Sequence, residues 1–147
     1  MALDERPSRE TLRIIDANLN RASEGLRVLE DIARLALNAA AISAQLKTIR
    51  HGLVRTSPGF QRALVESRDA VGDVGRDTEV VGEDKTRDLQ SVLVANARRV
   101  QESLRVIEEL AKLPAIAAEL DAGSIMQARF KAYSLQQHLM SRLMKQD

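Results

Sequence analysis

Cysteine and tryptophan are absent from these 147 residues, and the aromatic set is two Phe and one Tyr. Without cysteine there are no disulfides, no thiolate nucleophile and no Cys-ligated zinc, which fits a reducing compartment. With so few aromatics, the stacking platforms that usually hold single-stranded nucleic acids are missing. His51 and His138 are the only imidazoles, too few for a His-rich metal centre or a paired-His site. Twenty-two Lys and Arg against 21 Asp and Glu leave a net charge of +1 with the signs interspersed, so no charge field marks a nucleic-acid or membrane surface as the partner. No apolar run approaches the roughly 20 residues of a membrane span, and the opening MALDERPSRE lacks the apolar centre of a signal peptide. A soluble, cytoplasmic protein is expected.

What the chain does contain is its own duplicate. DANLNRASEGLRVLEDIARL, residues 16–35, returns as ANARRVQESLRVIEELAKL at 95–113, with ten of nineteen aligned positions identical. Ala17, Asn18, Arg21, Glu24 and Glu30 match Ala95, Asn96, Arg99, Glu102 and Glu108. Each copy places apolar residues three and four apart with no internal Pro, the pattern of a long amphipathic helix. At about 100° per residue, Asn18 falls inside the apolar arc, Arg21 on its flank and Gly25 beside both, and Asn96, Arg99 and Ser103 repeat the arrangement. A carboxamide and a guanidinium there require partners. Two readings are open. The groups satisfy one another, Asn18 with Asn96 and Arg21 with Glu24 or Glu102; or they line one cleft, where the small Gly25 and Ser103 leave room for a ligand and the arginines take a phosphate or carboxylate.

In chain order, Pro7-Ser8 starts a first helix expected to reach about Asn38. After an Ala-rich turn at 39–41, a second helix carries Leu46, Ile49, Leu53 and Val54, with Lys47 and Arg50 neighbours on one surface. That pair suits an anion or is simply a solvated basic face. Ser57-Pro58-Gly59 ends the helix, the short FQRALVES follows, and residues 67–88 form one long Gly/Asp-rich loop. Asp69, Asp73 and Asp77 offer hard oxygens of the kind Mg²⁺ takes, and Gly72 and Gly75 let backbone approach phosphate; the plainer reading is a solvated acidic turn. Neither a GxxxxGK[ST] loop nor GxGxxG occurs. Thr86 or Asp88 caps the duplicate helix, which ends near Pro114, and a last helix runs from about Ser124 to Met144. The expected fold is a single all-α domain over 1–147, a helical bundle of two duplicated helix-hairpin halves, about 12–55 and 90–140, with Phe130-Lys131 echoing Leu46-Lys47.

Together RIIDANLNRASEGLRVLEDIAR, LKTIRH, SRDAVGDVG and VLVANARRVQESLRVIEEL resemble the helical hydroxymethylpyrimidine-phosphate kinase domain of thiamine biosynthesis, over roughly Leu12 to Lys131. In several bacteria that domain stands ahead of thiamine-phosphate synthase in one chain; no synthase-sized segment follows here, so a stand-alone domain or a fragment is expected. The resemblance implies transfer of the γ-phosphate of ATP to 4-amino-5-hydroxymethyl-2-methylpyrimidine phosphate, a functional link to the synthase, and Mg²⁺ as cofactor with ATP. Its motif positions are Asn18, Arg21, Glu24, Lys47, Arg50, Arg68, Asp69, Asp73, Gly75, Asn96, Arg99, Glu102 and Arg105. Asp69 and Asp73 are expected to hold Mg²⁺, and Arg21, Arg68 and Arg99 to clamp phosphates. The other positions are expected to bind substrate, with Asn18 and Asn96 reading the pyrimidine edge or orienting the arginines. Two alternatives remain: a non-enzymatic helical module that forms a homodimer, and an all-α Mg-dependent nucleotide pyrophosphohydrolase using Glu24, Glu30 and Asp31.

Overall fold

The computed structural model describes residues 6–77 and 88–146. Among them the chain is all-α: α1 (Arg9–Asp31), α2 (Ala40–Leu53), α3 (Pro58–Glu66), α4 (Leu89–Ala111), the single turn α5 (Pro114–Ala117) and α6 (Ala122–Lys145). None of these helices is long and apolar enough to cross a membrane.

The helix starts have local causes. Ser8 accepts the Thr11 N–H at 3.1 Å to cap α1, and Ser57 accepts that of Phe60 at 3.2 Å ahead of Pro58. Asp88 and Asp121 do the same for α4 and α6, taking the Ser91 and Ser124 N–H at 2.7 and 3.0 Å. Each carboxyl sits below the usual carboxylate range because it accepts the serine hydroxyl as well as the amide. Thr86, the other candidate cap, lies outside the described residues.

The first helix does not reach Asn38 unbroken. Past Asp31 the ladder widens into a π-helical turn, Ile32–Ala36, in which the Leu37 N–H donates to the Ile32 carbonyl at 3.1 Å. Ala39 N–H then reaches back to the Ala33 carbonyl at 2.7 Å while Asn38 takes a φ of 51°, the left-handed region that Asn tolerates better than most residues. This lets α2 begin at Ala40, inside the stretch expected to be a turn.

The duplicated helices α1 and α4 pack on each other at the centre, with α2 and α3 covering α1 and α6 covering α4. Ile15, Leu26 and Leu29 meet Leu93, Leu104 and Ile107 in the wholly buried core. The two helices approach closely at Gly25, where a Cβ would stand 2.7 Å from Val100 Cγ2 and 3.1 Å from the Asn96 carbonyl oxygen. The small residue therefore admits the facing helix and makes no room for a ligand.

Leu46, Leu53, Phe60 and Leu64 of α2 and α3 are buried, and so are Ile125, Ala132, Leu139 and Leu143, each 79 positions later in α6. The Ser57-Pro58 break thus divides in the first half a path that α6 follows without interruption. The expected echo of Leu46-Lys47 by Phe130-Lys131 is off register, because Phe130 is 54% exposed while Leu46 is fully buried.

Candidate functional site

The N-terminal half of α1 and the start of the loop enclose an open cleft of about 620 Å³. Arg13, Asp16, Asn18 and Arg21 line it from α1, and Arg68, Asp69 and Asp73 from the loop. Asp16 joins the two walls. It follows Leu12 by four and precedes Leu19 by three, so the helix turns it to the core side, where it is buried. A carboxylate there needs a strong partner. Arg68 supplies it in a two-pronged pair, Nε to Oδ2 at 2.7 Å and Nη2 to Oδ1 at 3.0 Å, and this pairing raises the guanidinium pKa above its ordinary value.

The start of the loop is held against α1 by that pair and by Arg13, whose Nη2 donates to the Asp69 carbonyl at 3.4 Å. Within the loop, Asp69 Oδ1 accepts the Gly72 N–H at 2.8 Å and Asp73 Oδ1 the Gly75 N–H at 2.9 Å. Both carboxylates line the cleft, and Oδ2 of each has no hydrogen-bond partner among the described residues. Arg21 is exposed there, and no carboxylate among the described residues pairs with it, Glu24 and Glu102 included. The cleft therefore presents an uncommitted guanidinium on one wall and two half-used carboxylates on the other.

Asn18 lines the cleft, yet its amide is committed: Nδ2 donates to the Ile14 carbonyl at 2.8 Å. Asn96 repeats this on Val92 at the same 2.8 Å. The two carboxamides thus satisfy their own helices, and the expected bond between them does not form. Arg50 Nε and Nη2 hold the buried Glu30 carboxylate at 2.8 and 3.3 Å, away from the cleft. Arg129 holds Glu108 in the same way in the second half, Nε to Oε1 at 3.2 Å. Arg105 bridges Glu108 and Glu109, Glu24, Arg99 and Glu102 are exposed on α1 and α4, and Lys47 lines a different hollow. Gly75 lies on the exposed loop beside Asp73. Of the carboxylates proposed for a pyrophosphohydrolase, Glu30 is bound to Arg50 and Asp31 to Arg27 at 3.4 Å, while Glu24 is exposed on α1. Among the described residues no three His, Cys, Asp or Glu gather as a metal cage.

Sequence reasoning missed Arg13 and Asp16. The available signal was an acid between Leu12 and Leu19 with no acidic counterpart in the repeat, where Val94 stands.

The model of the ThiD2 family matches residues 13–138. The chain belongs to the ThiD2 family. Among its relatives is the thiamine-phosphate synthase of Rhodopirellula baltica, 42% identical over 128 residues, 86% of this chain and 33% of that protein. The proteins of the same name from Nostoc punctiforme and Synechocystis sp. are 40% and 39% identical over 130 residues, 87% of this chain and 35% and 36% of theirs. This family member spans about a third of the length of the curated relatives it matches. No solved structure matches the chain.

Proposed function

We propose that the chain is a phosphotransferase of thiamine biosynthesis that moves the γ-phosphate of ATP onto the phosphate of 4-amino-5-hydroxymethyl-2-methylpyrimidine phosphate. Family membership and relatives named thiamine-phosphate synthase support the pathway. The observation that carries the reaction class is the α1–loop cleft, which brings Arg13, Arg21 and Arg68 to the same hollow as Asp69 and Asp73.

In the proposed reaction an acceptor phosphate oxygen forms the new P–O bond, the bond from the γ-phosphorus to the β–γ bridging oxygen breaks, and ADP leaves. Since the nucleophile is already an oxyanion, the protein must chiefly neutralise charge and align the two phosphates. Arg21, with no competing carboxylate, takes phosphate oxygens directly. Arg68 is held by Asp16, so its remaining N–H groups are aimed and its rotamers restricted before substrate arrives. Asn18 orients this end of α1 and offers its carboxamide oxygen to the ligand. The free oxygens of Asp69 and Asp73 fit an Mg²⁺ delivered with ATP, a mode in which one or two carboxylates suffice because the phosphates complete the shell. Bound in that way, the ion would offset charge on the transferring group.

The test is ADP release with Mg-ATP and the pyrimidine phosphate, coupled to thiamine-phosphate synthase so that only the diphosphate yields product. Turnover that disappears in Asp73→Asn supports the reading; no turnover together with no thermal shift by either substrate overturns it.

A second reading, pairing of two copies, is favoured by one surface. Met126, Phe130, Tyr133 and Met144 are exposed on α6 and fall with Met140 on one face at spacings of three, four and seven. Phe130→Glu should lower the sedimentation mass if that face pairs; an unchanged monomer in wild type and variant removes the reading.

A further inference from the structure

The end of α1 and the start of α2 enclose a second hollow, of about 480 Å³, lined by Glu30, Arg34, Asn38, Ala40, Ser43 and Lys47. It is separate from the α1–loop cleft: Arg21 of the cleft and Glu30 of this hollow are nine residues apart on α1, roughly 13 Å along a helix. The π turn and the left-handed Asn38 allow the chain to reverse there, so the N-terminus of α2 opens onto the side chains at the end of α1.

That helix start has no side-chain cap, since Ala39 occupies the N-cap position. The amides of Ala40, Ala41 and Ile42 are the groups that a helix leaves without internal acceptors. A helix start alone is not a site; Ser43 is the independent observation. It is 8% exposed, it lines the hollow, and its hydroxyl has no hydrogen-bond partner among the described residues. Among the described residues no fully enclosed side-chain oxygen or nitrogen lacks a partner, so the Ser43 hydroxyl keeps an open side. Buried hydroxyls are normally satisfied, and the hollow is where this one finds its acceptor.

The charge around it favours an anion. Arg34 and Lys47 flank the hollow with no ion-pair partner among the described residues, while its single acid, Glu30, is already neutralised by Arg50. In the other half the Glu108–Arg129 framework remains, but Ser43 and Lys47 are replaced 79 positions on by Ala122 and Met126, and Lys112 in place of Arg34 is bound to Glu109 at 3.0 Å. The two halves share the ion pair and differ in the groups an anion would need.

We propose that this hollow is a phosphate-binding site, in which Ser43, Lys47, Arg34 and the first amides of α2 hold the oxygens of a phosphate or phosphate ester. It is independent of the kinase reading, because it shares no residue with the cleft.

The test is a titration of the full chain with inorganic phosphate at constant ionic strength, followed by backbone amide NMR. The Ala40, Ala41 and Ile42 resonances should shift saturably, and Arg34→Gln combined with Lys47→Gln should weaken the midpoint by about tenfold or more. Ser43→Ala should weaken it less and leave the unliganded Tm unchanged or higher, since no internal bond is lost. A parallel titration with a phosphate monoester separates the sources: a midpoint about tenfold lower than for phosphate marks an organic ester as the ligand, and equal midpoints mark the free anion. Shifts that rise linearly without saturation, or saturable shifts that persist in the double variant, overturn the site. A lower Tm in Ser43→Ala overturns the role given to its hydroxyl. Resonances of Asn18, Arg21 and Asp69 report the cleft separately, so loss of the kinase reading leaves this result interpretable.

Discussion

The α1–loop cleft has a counterpart near the start of α4. Asp88, Ser91, Val94, Ala95 and Arg98 line a hollow there, and 78 positions earlier Glu10, Arg13, Asp16, Ala17 and Asn20 line the cleft. The helical framework is common to both: the Asn18 and Asn96 amides make the same bond, and Glu30–Arg50 and Glu108–Arg129 repeat the same pair. The contents differ. Asp16 is matched by Val94 and Arg13 by Ser91, and the far wall is a charged loop in one case and Met140 of α6 in the other. What the halves hold in common is largely what makes each half fold; Arg21 apart, which Arg99 matches, the polar groups without internal partners in the cleft and the second hollow lie where the halves diverge.

The most severe way to break the shared part is to remove the cation from a buried carboxylate. Arg50→Ala leaves Glu30 without its partner and should lower stability by about 3 kcal/mol in chemical denaturation. Arg129→Ala should lower it less, because Arg105 also reaches Glu108, at 3.4 Å. Equal losses would show that this second contact contributes nothing.

Converting the cleft to its counterpart tests the divergent part. Asp16→Val reproduces Val94 and frees Arg68, so turnover in the synthase-coupled assay should fall by about 100-fold. Stability should change by no more than about 1 kcal/mol, since Arg68 is half-exposed. Full turnover in this variant would remove Asp16 and its hold on Arg68 from the mechanism.

Gly25→Ala should cost about 1–3 kcal/mol, as the added Cβ pushes Val100 and the Asn96 carbonyl away. Ser103, at the matching place in α4, already carries a Cβ, so Ser103→Ala should have the smaller effect.

The smallest expected effect is on acid sensitivity. The described caps of the first half are Ser8 and Ser57, whereas α4 and α6 begin at Asp88 and Asp121. Both aspartates have folded pKa values below the ordinary carboxylate range, so their contribution is complete above that range and is lost as pH falls through the lowered values. Amide exchange at the starts of α4 and α6 should therefore rise before that at α1 and α3, and Asp88→Ser should remove the difference at α4.

The repeat was the most visible feature of the sequence, and it identified α1 and α4 as partners. It also drew Arg99, Glu102 and Arg105 into the expected site; these are exposed or ion-paired on α4 and do not line the cleft. Arg68, Asp69 and Asp73 were legible because arginine and aspartate in a Gly-rich loop suggest phosphate chemistry wherever they lie, and Arg21 because the repeat set it on the flank of an apolar face. Asp16 was not, because the significance of one acid on an apolar face depends on a partner 52 residues away.

By itself the sequence determined the helices and their caps. Three-and-four spacing, serine or aspartate before the starts of α1, α3, α4 and α6, and Pro58 and Pro114 at first positions act within a few residues and need no knowledge of the rest of the chain. Tertiary structure decided which charges are spoken for. Whether Arg50 meets a ligand or Glu30, whether Arg68 is free or held by Asp16, and whether Gly25 opens a pocket or closes a helix contact follow from packing between segments, through interactions whose partners lie 20 to 75 residues apart.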